Sequence, residues 1–237
     1  MIGDIHEAKF RGKTFKFIEG SHEASILTFS DEQELRNNLW MIKEGDVVYD
    51  VGPAFGSYTL PALALGATVY AFEPVQWLCE ALVANIEANE GFEERFELYP
   101  VALSDTEKKR LLAEEIMEHG TSLRDARHEG YNHIVPFKRM DSYPVKKLDW
   151  IKIDTEGQEF RVLRGGIETL KQHHPKLLIE THLGVVGIDR FIRINGIYEG
   201  IQKLLKGLGY QITEHNYIGR LYIFAEAEEG GTKCHKE

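Results

Sequence analysis

Cysteine is nearly missing from this chain: Cys79 and Cys234 are the only two in 237 residues. That is too few, and too widely spaced, for a disulfide framework or a structural zinc site, and it fits a reducing compartment. No apolar run approaches the roughly 18 residues needed to cross a bilayer. The opening MIGDIHEAKF has no basic stretch followed by an apolar one, so neither a leader nor a membrane partner is expected, and the expected location is cytoplasmic. Positive charge is also in deficit. With 28 Lys and Arg against 38 Asp and Glu, the formal net charge is -10, which speaks against a broad nucleic-acid surface and a nucleic-acid partner. There is no internal repeat and no Pro- or Ser-rich linker. Two phosphate-binding signatures are absent as well, G-x-G-x-x-G and G-x-x-x-x-G-K-[ST].

The chain does contain an alternation of short apolar strands with amphipathic stretches, the pattern of a mostly parallel α/β sheet. VVYDV and ATVYAF read as buried strands, Val75 to Asn89 as a helix, and FELYPVAL as a third strand. A polar excursion from Ser104 to Asn132 follows, and after it HIVPFKR and the strand LDWIKID. The segment Glu159 to His173 is expected to be helical, KLLIETH a strand, Tyr198 to Lys206 a helix, and YQITEHN with RLYIFAE a terminal hairpin. The first 45 residues, including the helix-like DEQELRNNLW, read as a flank or lid before a domain spanning 46–237. With 43% hydrophobic residues, this length can bury a substantial core.

The densest chemical signal is Tyr49-Asp50-Val51-Gly52-Pro53-Ala54-Phe55-Gly56, a strand breaking through glycines into a helix. Gly52 and Gly56 let backbone approach a ligand where a Cβ would collide, and the helix that follows directs N–H groups toward a carboxylate or phosphate. Glu73, followed by Pro74, ends the next strand about 20 residues after the first glycine, the spacing at which an acidic side chain accepts from ribose hydroxyls. The Gly52-to-Gly56 spacing disfavours a dinucleotide pyrophosphate, hence a nicotinamide-dependent oxidoreductase. It suits a small carboxylate-bearing nucleoside, with S-adenosylmethionine as the leading cofactor.

The succession DVGPAFGSYTL, VYAFEP, VALSD, GTSL, LDWIKIDTEGQEFRVLRGG and LLIETH resembles the FkbM-type family of S-adenosylmethionine-dependent methyltransferases, over about Gly45 to Tyr210. The resemblance implies a class I methyltransferase fold: a Rossmann-like three-layer sandwich around a mostly parallel seven-stranded sheet with an antiparallel C-terminal strand. It also implies O-methylation of a small-molecule hydroxyl, in a sugar, polyketide or related metabolite. One departure is local. The family's turn usually reads D-x-G-A-N-x-G, and Pro53 and Ala54 replace its alanine and asparagine, removing an N–H donor and a polar side chain.

Ligands of such sheets sit beyond the carboxyl ends of the strands. Four residues stand there as catalytic candidates: Asp154 and Glu156 after LDWIKI, and Glu180 and His182 at the end of KLLIE. In the resemblance-based picture Asp154 lies beside the transferred methyl, while Glu156, Glu180 or His182 orients or deprotonates the acceptor. His182 is the best generic base, because an imidazole titrates nearest working pH. Equally ordinary roles stand beside these: Asp154 and Glu156 as helix caps, Glu180 and His182 as a polar rim. Lys152, inside a buried strand, reads either as a functional ammonium or as the partner of an acidic neighbour. Arg190 and Arg193 read as a phosphate or carboxylate clamp or, more simply, as a solvated face.

For the cofactor, Asp50 accepts from its amino group or from donors of the turn. VALSD is expected to meet the adenine, with Ala102 or Leu103 against the ring face and Asp105 accepting from the exocyclic amine. Phe55 and Tyr58 close over the ligand or else belong to the core. A divalent ion such as Mg²⁺ suits the oxygen-rich set, yet no ligand spacing such as H-x-x-x-H supports one, and no metal is expected. The alternative to an enzyme is a catalytically silent binding module of the same fold.

Overall fold

The computed structural model describes residues 4–18, 33–117, 120–125, 132–181, 188–217 and 220–227. The chain opens with a hairpin of β1 (Ile5–Phe10) and β2 (Lys13–Ile18), then α1 (Gln33–Leu39), β3 (Val47–Val51), α2 (Thr59–Ala64), β4 (Thr68–Phe72) and α3 (Gln76–Glu87). Next come five short strands: β5 (Phe96–Tyr99), β6 (Ala102–Leu103), β7 (Lys108–Met117), β8 (Gly120–Asp125) and β9 (Asn132–Lys138). The last third holds β10 (Trp150–Ile153), α4 (Glu159–Gly165), α5 (Ile167–His173), β11 (Lys176–Thr181), α6 (Ile188–Gly207), β12 (Tyr210–Tyr217) and β13 (Arg220–Ala227).

Seven strands form the central sheet in the order β12-β13-β11-β10-β3-β4-β5. β13 pairs antiparallel with both of its neighbours, and the pairs from β11 across to β5 are parallel. The strands are apolar on both faces because both are covered, as a parallel sheet requires. Alternation along each strand divides the core. Val48, Val69, Ala71, Trp150, Leu178 and Tyr222 pack with Leu35 and Leu39 of α1, Leu60 and Leu63 of α2, and Leu82 and Ile86 of α3. On the opposite face Tyr49, Val51, Ile151, Ile153, Leu177 and Ile179 meet Val162 and Leu163 of α4, Leu170 of α5, and Ile201 and Leu205 of α6. The result is a helix–sheet–helix sandwich.

The hairpin joins the first of these layers. Its turn is Arg11-Gly12, both with positive φ (46° and 80°), the two-residue loop whose twist matches the strands it links. Phe10, Phe15 and Phe17 are buried among Leu60, Leu63 and Leu82, each contributing about 1.5–3 kcal/mol of apolar transfer.

Four elements differ from the sequence reading. FELYPVAL is not one strand: it breaks at Pro100 into β5, in the main sheet, and β6, in a second sheet ordered β6-β9-β7-β8. Pro100 has no N–H to extend the ladder of this edge strand, and the chain leaves the main sheet there. The polar excursion after Ser104 supplies β7 and β8 of that second sheet. The segment 159–173 is two helices, divided at Gly166, where a Cβ would lie 2.7 Å from the Met140 sulfur. The last helix begins at Ile188, ten residues before the expected start at Tyr198.

Candidate functional site

The turn between β3 and α2 is shaped by close backbone contacts. Gly52 has φ +78°, and a Cβ there would stand 1.9 Å from the carbonyl oxygen of Asp154; only glycine lets β3 and β10 end so close together. Gly56 N–H donates to the Pro53 carbonyl at 2.8 Å, closing the turn without the N–H that Pro53 lacks. Ala54 sits in the left-handed region at φ 48°, and its N–H donates to Glu73 Oε2 at 3.3 Å.

Two buried carboxylates face this turn. Glu73 Oε1 accepts from Val75 N–H at 3.0 Å, wrapping the chain around Pro74. Burial pushes the Glu73 pKa up to about 7, opposed by its backbone hydrogen bonds and reinforced by the charges of Asp50 and Asp154. A carboxylate can accept about four hydrogen bonds, so Glu73 has capacity left for ribose hydroxyls. Asp50 Oδ2 accepts from the Thr59 hydroxyl at 2.6 Å, while its buried Oδ1 has no hydrogen-bond partner. Burial raises the Asp50 pKa to about 6, with Lys152 and Thr59 holding it down. An unmatched buried acceptor of this kind suits a cationic donor such as an amino group. The orphaned acceptor, the glycine-lined turn and Glu73 together fit S-adenosylmethionine.

Across the β3–β10 junction, Lys152 is 1% exposed. Its ammonium lies 3.5 Å from Asp154 Oδ2 and 4.6 Å from the centre of the Tyr58 ring. It therefore pairs with an acidic neighbour. Glu156 is exposed, at φ 51°, and it does not cap α4: the N-cap is Gln158, with no side-chain cap bond. Glu159 holds the Asp154–Gly157 loop instead. Its buried Oε1 accepts from Gly157 N–H at 2.8 Å, from Thr155 N–H at 3.3 Å and from the Thr155 hydroxyl at 3.4 Å. Glu180, 1% exposed at the end of β11, accepts from Arg220 of β13 at 2.9 Å.

Asp50, Gly52, Gly56, Glu73 and Asp154 thus gather around one turn. Phe55 meets Trp77 edge to face, with centroids 5.7 Å apart. Tyr58 belongs to the core: it is 3% exposed, with its ring edge-on to Trp40. Ala102 packs with Val135 and Phe137 in the second sheet. Asp105 pairs with Arg164 at 3.3 Å. His182 lies outside the described residues, as do Cys234 and the side chains of Arg190 and Arg193.

Reading the sequence missed Thr59, Glu159 and Arg220. Thr155-x-x-x-Glu159 is close to the reciprocal spacing of a helix start and offered a local signal. Nothing local announces that Arg220 reaches Glu180 forty residues away. Among the described residues, no group of three His, Cys, Asp or Glu could hold a metal ion, and no helix is long and apolar enough to cross a membrane.

The sequence profile of the Methyltransferase FkbM domain matches residues 50–212. No curated protein sequence matches the chain. Among solved structures, Methyltransferase FkbM from Methylobacillus flagellatus KT is similar, with TM-score 0.59 and 15% identity, over 82% of this chain and 47% of that one; this chain spans about half that protein's length. The fibrillarin pre-rRNA processing protein of Methanococcus jannaschii gives TM-score 0.54 at 15% identity, over 95% of this chain and 83% of that one. A putative methyltransferase from Streptococcus mutans in complex with SAH gives 0.50 at 10% identity, over 87% and 99%. At such identities the likeness is one of fold, that of a class I methyltransferase.

Proposed function

Because the chain belongs to the FkbM methyltransferase family and uses S-adenosylmethionine, we propose that it methylates a hydroxyl oxygen of a small molecule such as a sugar or polyketide. The observation that carries this reading is the β3–β10 junction, where the glycine turn and the carboxylate-bearing end of β10 are held against each other by the Gly52–Asp154 contact.

When bound, the cofactor supplies a methyl group on a positively charged sulfur that leaves as a thioether. Asp50 accepts from its amino group, and Glu73 from its ribose hydroxyls. Asp154, paired with Lys152, is the group we assign to the acceptor side of the turn. A hydroxyl is a weak nucleophile, so it must give up its proton as the new C–O bond forms. Glu156 and His182 are the groups we assign to orient the acceptor and take that proton. Glu180, already engaged by Arg220, positions rather than deprotonates. Alignment of the reacting atoms supplies much of the rate.

The fibrillarin likeness makes RNA the second acceptor to try, although the net charge of -10 opposes it. The test is incubation with ¹³C-methyl-labelled S-adenosylmethionine and, separately, pools of hydroxylated metabolites and RNA, with products read by NMR. An O-methyl signal on a small molecule supports the proposal. Label found only on RNA or on nitrogen overturns it, and cofactor binding without transfer to any acceptor favours the silent module.

A further inference from the structure

One buried side chain ties the N-terminal hairpin to the glycine turn. Asn85, on α3, is 1% exposed. Its Oδ1 accepts from the backbone N–H of Ile18 at 2.6 Å, and its Nδ2 donates to the carbonyl of Phe55 at 2.8 Å. The orientation of the amide follows from these partners, since a flip would set donor against donor and acceptor against acceptor.

One helical turn later Asn89 takes the rest of the strand edge. Its Oδ1 accepts from Lys16 N–H at 2.6 Å, and its Nδ2 donates to the carbonyls of Lys16 and Asn85, each at 2.7 Å. The two asparagines, four residues apart and so on one helix face, meet the outward groups of β2 as a neighbouring strand would. Only Asn85 also reaches the turn.

Phe55 stands between Ala54, which donates to Glu73, and Gly56, where a Cβ would lie 2.8 Å from Leu82 of the same helix. Its carbonyl is therefore a point from which the whole turn can be held or displaced. We propose that Asn85 is a positioning residue for the cofactor: it suspends the glycine turn from α3 and couples cofactor affinity to the hydrogen bond it accepts from Ile18 of the N-terminal hairpin. This rests on the glycine turn being the cofactor's seat. Losing the donor leaves the Phe55 carbonyl to seek another partner, which shifts Ala54 and with it the hydrogen bond to Glu73. The dependence is reciprocal, so bound cofactor must in turn protect the hairpin.

The test is calorimetric titration of the full chain with S-adenosylhomocysteine, comparing wild type, Asn85→Asp and Asn89→Ala. Asn85→Asp keeps the shape and the acceptor for Ile18, but sets a carboxylate oxygen against the Phe55 carbonyl. Asn89→Ala removes the contacts to Lys16 while leaving the Ile18–Asn85–Phe55 link in place. We expect Asn85→Asp to weaken binding about tenfold or more and Asn89→Ala to stay within about threefold, although both lower the melting temperature.

Hydrogen exchange supplies a readout that a purely structural role would leave unmoved. Ligand should slow exchange of the segment holding Lys16 and Ile18 in the wild type, and fail to do so in Asn85→Asp. Should that variant not fold, Ile18→Pro removes the same N–H at a strand edge and is expected to weaken binding several-fold. Wild-type affinity in the Asn85 or Ile18 variant, or equal losses at Asn85 and Asn89, would overturn the inference. A wild-type chain that binds no ligand would remove the seat itself, a failure distinct from these.

Discussion

Glu73 shows how one residue can set a pH dependence. Its carboxyl is buried with a pKa near 7, so around neutrality the group is partly protonated before ligand arrives. Ribose hydroxyls donate best to the ionised form, and affinity for S-adenosylhomocysteine should therefore fall as pH drops through about 7. Glu73→Gln is expected to flatten that profile and to bind about tenfold more weakly at pH 8, a loss of about 1.4 kcal/mol that calorimetry can read. If the variant kept the wild-type slope, Glu73 would not be the titrating group. Asp154→Ala divides the roles differently: turnover should fall by two orders of magnitude or more, on the order expected for a lost reacting-centre contact, with cofactor affinity little changed. Both residues were legible in the sequence, because each directly follows a buried apolar strand. Gly52 was legible only as a glycine, since the Asp154 carbonyl that forbids a side chain there comes from a strand a hundred residues later.

At the scale of elements, the parallel strands β3, β4, β10 and β11 could be read directly, because burial on both faces leaves continuous apolar runs. β7 and β8 could not. KKRLLAEEIM and GTSLRD mix charge with apolar residues and show no clean alternation; β7 is held by β9, and β8 in turn by β7. Asp105 illustrates the consequence: β6 joins the second sheet, the loop after it packs on α4, and Asp105 pairs with Arg164. Gly165 permits that packing, since a Cβ there would stand 2.0 Å from the Ser104 carbonyl. Gly165→Ala should therefore cost about 1–3 kcal/mol in urea unfolding, whereas Gly207→Ala, with nothing near its Cβ position, should stay within about 0.5 kcal/mol or stabilise. Equal effects at the two positions would mean that α4 can slide away freely.

For the whole molecule, the buried carboxyls make stability and function oppose each other. Asp50 and Glu73 have folded-state pKa values of about 6 and about 7, above the ordinary 3.8 and 4.5. The native state therefore binds more protons than the unfolded chain between those limits, and this part of its stability is complete below about pH 4 and lost as pH rises through 6 and 7. The melting temperature of the ligand-free protein should decline across that window, less steeply in Glu73→Gln, as thermal scans can check. Ligand at about a hundred times its dissociation constant should restore about 2.7 kcal/mol. The fold class, the strand-turn-helix unit, the acidic residue after β4, the carboxylates after β10 and the one at the end of β11 were determined by the sequence alone, because strand burial and turn chemistry are local properties. The pairing of Glu180 with Arg220, the Glu159 clasp, the inward Tyr58 and the amide of Asn85 between hairpin and turn were decided only by tertiary structure. Each depends on a partner brought close by folding, and hydrogen bonds and ion pairs form between neighbours in space, whatever their separation along the chain.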